Sequence, residues 1–147
     1  MYKILILVSC LVASFKLSAV EKTGIFVIPD SNENSSLISC YSYYSQSNSI
    51  ENRSVCVKNS PLILEKEMTS ISVQMENHVQ VLKILVNKKA SHRLHSFSKE
   101  NLYKNIILII KGKVISNMTI VTPLINGEIK IAGLEPDEID HAISHLH

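Results

Sequence analysis

The chain has 147 residues, of which 46% are apolar, with 15 Lys and Arg against 13 Asp and Glu. That length allows one domain with a real core and leaves no room for two ordinary ones. Lys3 and Lys16 fall in a leader that is expected to be removed, which leaves basic and acidic residues equal in number. A neutral domain lacks the electrostatic footprint of a nucleic-acid binder.

Met1 to Ala19 reads as a secretory signal. Lys3 supplies the positive start, Ile4 to Ala13 the apolar run, and Leu17-Ser18-Ala19 a small-residue exit, so the mature chain begins near Val20. Lys16 interrupts the run before the roughly 20 residues needed to span a bilayer. Lipidation at Cys10 and a retained anchor are the alternatives to cleavage after Ala19. After cleavage no membrane span is expected.

Gly24 to Ile28 is a short apolar strand candidate, and Pro29 to Ser36 is a polar loop. Removing the leader takes Cys10 with it and leaves an even pair, Cys40 and Cys56, in what would be an oxidising compartment. These cysteines lie in two strand-like runs around a Ser/Gln/Asn turn. Pairing them sets Tyr44 opposite Asn52 and centres the turn near Asn48, the register of a hairpin with a cross-strand disulfide. Closing a loop of this length contributes roughly 3 kcal/mol in the chain-entropy model. Two buried free thiols are the alternative reading, and without a CxxC motif a thiol oxidoreductase is disfavoured.

Pro61 breaks the chain, and Leu62 to Lys66 leads into a segment where Ile71, Val73 and Met75 alternate with polar residues at the period of a half-buried strand. Glu76-Asn77-His78 is the expected turn, and Val79 to Val86 returns as a second strand. Ala90, Leu94 and Phe97 then recur at helical spacing, with Lys and His on the other face, so an amphipathic helix of about four turns follows. Ile106 to Ile110 is a continuous apolar run too short for a helix, which fits a strand buried on both sides. Lys111-Gly112-Lys113 is a tight turn in which Gly112 can take positive φ. Val114 to Ile120 runs back, Pro123 and Asn126-Gly127 mark a looser connection, and Glu128 to Ala132 alternates as a last strand. In the final segment Pro136 suits the first helical position, acids fill the first turn, and Ile139, Ala142, Ile143 and Leu146 form an apolar stripe. The order predicts an α+β fold: an antiparallel sheet with two helices packed on one face, preceded by a disulfide-linked β-hairpin. No internal repeat is present.

The span Glu100 to Ile120, "ENLYKNIILIIKGKVISNMTI", resembles without a gap the stretch written E-N-h-G-K-R-L-A-I-V-L-D-G-K-V-I-S-A-P-V-I in SecD, the export-motor subunit, within the head of its first large periplasmic domain. Glu100, Asn101, Lys104, Gly112, Lys113, Val114, Ile115, Ser116 and Ile120 match that pattern. Pro123, Gly127, Ile131 and Gly133 continue it, Ala90-Ser91 stands where the family has Gly-Ala, and Leu94 and Ser98 stand where it has Phe and Thr. "LILEKEM", from Leu62, resembles the lead-in to that subdomain. The sequence departs from the family at Lys111 for Asp, at Asn117-Met118 for Ala-Pro and at Tyr103 for Gly. The resemblance covers Leu62 to Leu146, which divides the chain into a signal (1–19), an N-terminal extension with the hairpin (20–61) and a SecD-head-like part (62–147), forming one compact domain.

The resemblance implies a detached head: a periplasmic or secreted binding module of the bacterial envelope, without the motor's transmembrane helices. Its expected partners are a protein or an unfolded polypeptide, Sec translocon components included. The expected contact residues are Lys111, Gly112 and Lys113 at the turn, and Lys88, Arg93 and Lys99 on the basic helix face. A reused scaffold with no export role is the alternative, a secreted structural or host-directed factor in which Tyr41, Tyr43 and Tyr44 on the hairpin form the contact surface. No catalytic residue, cofactor or metal is expected. Asp137 and Asp140 have a structural role in a helix first turn, and Ser residues lack a nucleophile elbow. His141 and His145, with His147 behind them, and the pair His92 and His95 lack a third ligand in sequence.

Overall fold

The structure is a computed structural model, described here for residues 22–32, 34–44 and 52–146. Its strands are β1 (Gly24–Val27), β2 (Ile38–Tyr44), β3 (Asn52–Lys58), β4 (Ile63–Leu64), β5 (Met68–Glu76), β6 (Val79–Val86), β7 (Asn105–Ile110), β8 (Lys113–Thr119) and β9 (Glu128–Ala132). The helices are α1 (Lys88–Glu100) and α2 (Pro136–His145). The leader and the hairpin turn near Asn48 lie outside the described residues.

The apolar run Ile106 to Ile110 is the centre of the molecule. All five residues are buried, and because strand side chains alternate between faces, they divide between two cores. Ile106, Leu108 and Ile110 pack with Ala90 and Leu94 of α1, Ala142 of α2, Leu146 just beyond it, and Leu82, Ile84, Ile129 and Ile131 of β6 and β9. Ile107 and Ile109 face the opposite way, against Phe26, Val114 and the hairpin's Val55 and Val57. Each such Ile contributes about 1.5–3 kcal/mol relative to an exposed one.

The fold is α+β with antiparallel pairing throughout, but its strands form three sheets rather than the single sheet predicted from the sequence. A four-stranded sheet has the order β4-β1-β7-β8, a two-stranded one is β2-β3, and a three-stranded one has the order β5-β6-β9. Periodicity shows which face of a strand is apolar and is silent about its neighbour. Hence the crossing of β9 to β6, instead of to β8, is not visible in the sequence. The boundary drawn at Leu62 also runs through a sheet, since β1 is an inner strand between β4 and β7.

The hairpin has the predicted register, with Cys40 opposite Cys56 and Tyr44 opposite Asn52, and the two cysteines are joined by a disulfide. Its inner face lies on the second core through Val55 and Val57. Lys22 ties it to the start of β1, donating to Asn59 Oδ1 at 3.0 Å and to Ser39 Oγ at 3.2 Å.

Local sequence explains the remaining joints. Asn77 and His78, with φ of 50° and 66°, make the two-residue turn that links β5 to β6. A bulge between Met68 and Ser70 returns Met68 to the core-facing side of β5, in phase with Ile71. Asn87 caps α1, its side-chain oxygen accepting from the Ala90 N–H at 2.9 Å. Pro136 opens α2, and the Glu138 carboxylate accepts the Glu135 N–H at 2.9 Å. Gly127 has φ of 64°, and a Cβ there would stand 2.9 Å from the Ser91 side chain of α1. Only glycine lets the backbone before β9 come this close to the helix.

Candidate partner-binding surface

The Lys111-Gly112 pair closes β7 onto β8 with φ of 48° and 74°, so Lys111 adopts the left-handed backbone that Asp or Asn takes more readily. Two hydrogen bonds hold the turn in place. The Lys111 N–H donates to Thr23 Oγ1 and the Gly112 N–H to the Lys22 carbonyl, both at 2.9 Å. Lys111 and Lys113 are exposed, and Lys113 Nζ stands 3.9 Å from Asp137 of α2.

The basic helix face is less uniform than its sequence. Lys88 and Lys99 are exposed at the two ends of α1. Arg93 between them is turned inward: its Nε donates to the Leu62 carbonyl at 2.9 Å and its Nη2 to the Glu67 carboxylate. Glu67 is itself buried and accepts the Leu64 N–H at 2.9 Å. Burial on its own would raise the Glu67 carboxyl, but the Leu64 N–H and the Arg93 guanidinium outweigh it and hold the group below the ordinary carboxylate range. Arg93 therefore has a structural task that the amphipathic pattern hides.

On the hairpin, Tyr41 is half-buried against the second core, and burial pushes its phenol pKa up. Tyr43 and Tyr44 pair with Arg53 and Asn52 along β2 and β3, and their side chains lie outside the described residues. Each histidine of the last helix is also engaged. His141 Nε2 donates to the Ile110 carbonyl at 3.1 Å, fastening α2 to the end of β7, and His145 Nδ1 donates to the His141 carbonyl at 2.9 Å. Among the described residues no three His, Cys, Asp or Glu side chains come together as a metal site. His147 lies outside them.

Sequence reasoning missed an apolar surface between the α1–β7 and β8–β9 connections. The Tyr103 N–H donates to the Ile120 carbonyl and the Ile120 N–H to the Lys104 carbonyl, which brings Tyr103 (77% exposed) beside Val121 (66% exposed). Next to them lies a groove of about 180 Å³ lined by Ile106, Met118, Ile120, Leu124 and Ile129. The buried Ser98 fixes its rim, accepting the Leu124 N–H at 2.8 Å while donating to the His95 carbonyl at 3.0 Å. Tyr103 has φ of 66°, a value that glycine takes without cost. The one available signal was that Tyr, a large side chain, replaces the family's Gly.

The model of the SecDF P1 head subdomain matches residues 41–143. The chain belongs to the SecDF P1 head family. The match begins at Tyr41, inside β2, so the family's pattern takes in the hairpin as well as the part after Leu62. A crystal structure of SecDF in a super-membrane-facing form is similar to this P1 head chain with a TM-score of 0.51 and 14% identity, covering 58% of this chain and 12% of that one. A second solved structure, of a membrane component SecDF that enhances protein export, has a TM-score of 0.49 and 16% identity, covering 57% and 40%. The chain thus spans well under half the length of either solved relative. No curated protein sequence matches it significantly. No helix among the described residues is long and apolar enough to cross a membrane.

Proposed function

We propose that this P1 head protein is a non-catalytic, extracytoplasmic binding module that contacts polypeptide, either a chain in transit or a component of an envelope complex, in the service of protein export. The family match over residues 41–143 carries this reading. The Cys40–Cys56 disulfide supports an oxidising location. The contact surface is the anchored Lys111-Gly112-Lys113 turn together with the exposed Lys88 and Lys99; Arg93 contributes by holding α1 in place. Two backbone-donated bonds tie down the turn from which the lysines project, which lowers the backbone part of the ordering cost of binding.

A second reading rests on the hairpin, which packs on the second core through Val55 and Val57 and has a covalent brace. Here the head is a reused scaffold, and Tyr41, Tyr43 and Tyr44 mark the contact face. Photo-crosslinking in cells from position 113 and from position 43 separates the two. Adducts from position 113 to translocon subunits or exported chains support the export role. Adducts from position 43 alone, to unrelated envelope or extracellular proteins, replace it with the hairpin reading. Charge reversal at Lys111 and Lys113 supplies the second check, since partner binding retained at full strength would remove the turn from the contact surface.

A further inference from the structure

The longest described strand, β5, is also the least guarded edge of the two larger sheets. It is bonded to β6 on one side and, among the described residues, to no strand on the other. The other edges of the four-stranded and three-stranded sheets carry protection of the usual kinds. On β9, Glu128 and Lys130 are in ion pairs with each other and with Lys83 and Glu76. On β8 a bulge interrupts pairing at Ile115, and β4 is two residues long. From Met68 to Met75, β5 contains no charge and no proline. Val73 and Met75 are on the same face as the buried Leu82 and Ile84 of β6, yet they are 37% and 64% exposed. The apolar stripe runs past the end of the core that should cover it.

The sequence of this edge indicates what covers it. Around Val73 the pattern reads alike in both directions: Ile71 and Met75 are apolar at two steps, Ser72 and Gln74 polar at one. An antiparallel pairing of β5 with β5 of a second copy, about a twofold axis at Val73, sets Val73 against Val73, Ile71 against Met75, Ser72 against Gln74 and Ser70 against Glu76. Every pair is apolar with apolar or polar with polar, and no like charges meet. A twofold interface demands this self-complementarity. The same register places Met75 of the second copy beside Ile71, at a groove of about 240 Å³ lined by Met68, Thr69, Ile71 and Leu146. We propose that β5 is a self-association edge that joins two three-stranded sheets into one of six strands. A single strand edge is a small interface, so the dimer is weak and concentration-dependent.

Sedimentation equilibrium of the full chain tests this with Val73→Lys, Val73→Glu and their equimolar mixture. The wild-type mass is expected to climb toward twice the monomer's with concentration. Each variant alone places like charges opposite each other at the axis and should associate about tenfold or more weakly, while the mixture recovers the dimer. At concentrations where the wild type is monomeric, both variants should melt close to it, because Val73 is exposed, and Val73→Cys should form a disulfide with itself at high concentration. A wild type that stays monomeric at every concentration overturns the proposal. So does a mixture no better associated than its components. A monomeric wild type that binds an extended peptide along β5 overturns it as well and assigns the edge to a foreign strand.

Discussion

The four-stranded and three-stranded sheets differ in what covers them. In the first, β7 has helices on one face and the disulfide hairpin on the other, and its sequence is apolar without alternation. In the second, one face of β6 meets the core while the other bears Lys83, Glu128, Lys130 and Glu76 in a ladder of ion pairs, and β5 overhangs solvent. Here the Lys83 hydrogen bond leads in holding Glu128 below the ordinary carboxylate range, and the Glu76 bond leads in raising Lys130. A sheet covered on both faces stores stability and is open to contact at its turns, such as Lys111-Gly112-Lys113, rather than on its faces. A sheet covered on one face keeps an edge and a stripe available for contact.

Substitutions of similar size should separate the two sheets. Ile107→Ala empties a fully buried site and should cost about 2–5 kcal/mol, read as a fall in the chemical-denaturation midpoint. Replacing Cys40 and Cys56 together by Ser removes the brace from the outer cover of the same sheet, with an expected loss of about 3 kcal/mol. Thermal melting with and without reductant checks this, and the reduced wild type should match the double variant. Ser98→Ala removes the acceptor of the part-buried Leu124 N–H and should cost about 0.5–1.5 kcal/mol, with hydrogen exchange quickening first between Val121 and Ile125. Met75→Ala, on the open sheet, should stay within about 0.5 kcal/mol. A loss at Met75 comparable with that at Ile107 would erase the distinction between the sheets.

The Glu67–Arg93 bond adds a pH signature. The folded-state pKa of Glu67 is lowered, so its stabilising contribution is full above the unfolded glutamate value of about 4.3. That contribution is lost as pH falls through the lower folded value. Glu67→Gln should flatten this part of the acid-unfolding curve and leave the neutral range nearly unchanged in slope.

Much of this architecture is written locally. The unbroken run Ile106 to Ile110, the alternation in β9, Pro136 at the start of α2 and the spacing of Cys40 and Cys56 each encode their own element, because side-chain period and turn chemistry act within a few residues. What is not local is not legible. Nothing near Gly24 reveals that β1 is an inner strand, and nothing in the helical pattern distinguishes Arg93, bound to Glu67, from the exposed Lys88 and Lys99. Alternation at Ile71, Val73 and Met75 predicts a buried face correctly for Ile71 alone, because periodicity defines a face and cannot say how far the opposing core extends. The proposed contact residues had to come from resemblance, and the apolar groove beside Tyr103 arises from a bridge between two connections far apart in sequence.

The inner position of β1 bears on the order in which the protein can take shape. Gly24 is opposite Ile109, so the first of the described strands must wait for β7, which lies in the last third of the sequence given. A chain delivered amino end first, from a ribosome or through a membrane pore, can close its Cys40–Cys56 hairpin early. It cannot complete its principal sheet until the residues of β7 have emerged, and pairing across so long an interval is intrinsically slow. Until β7 emerges the head is thus an incompletely folded polypeptide.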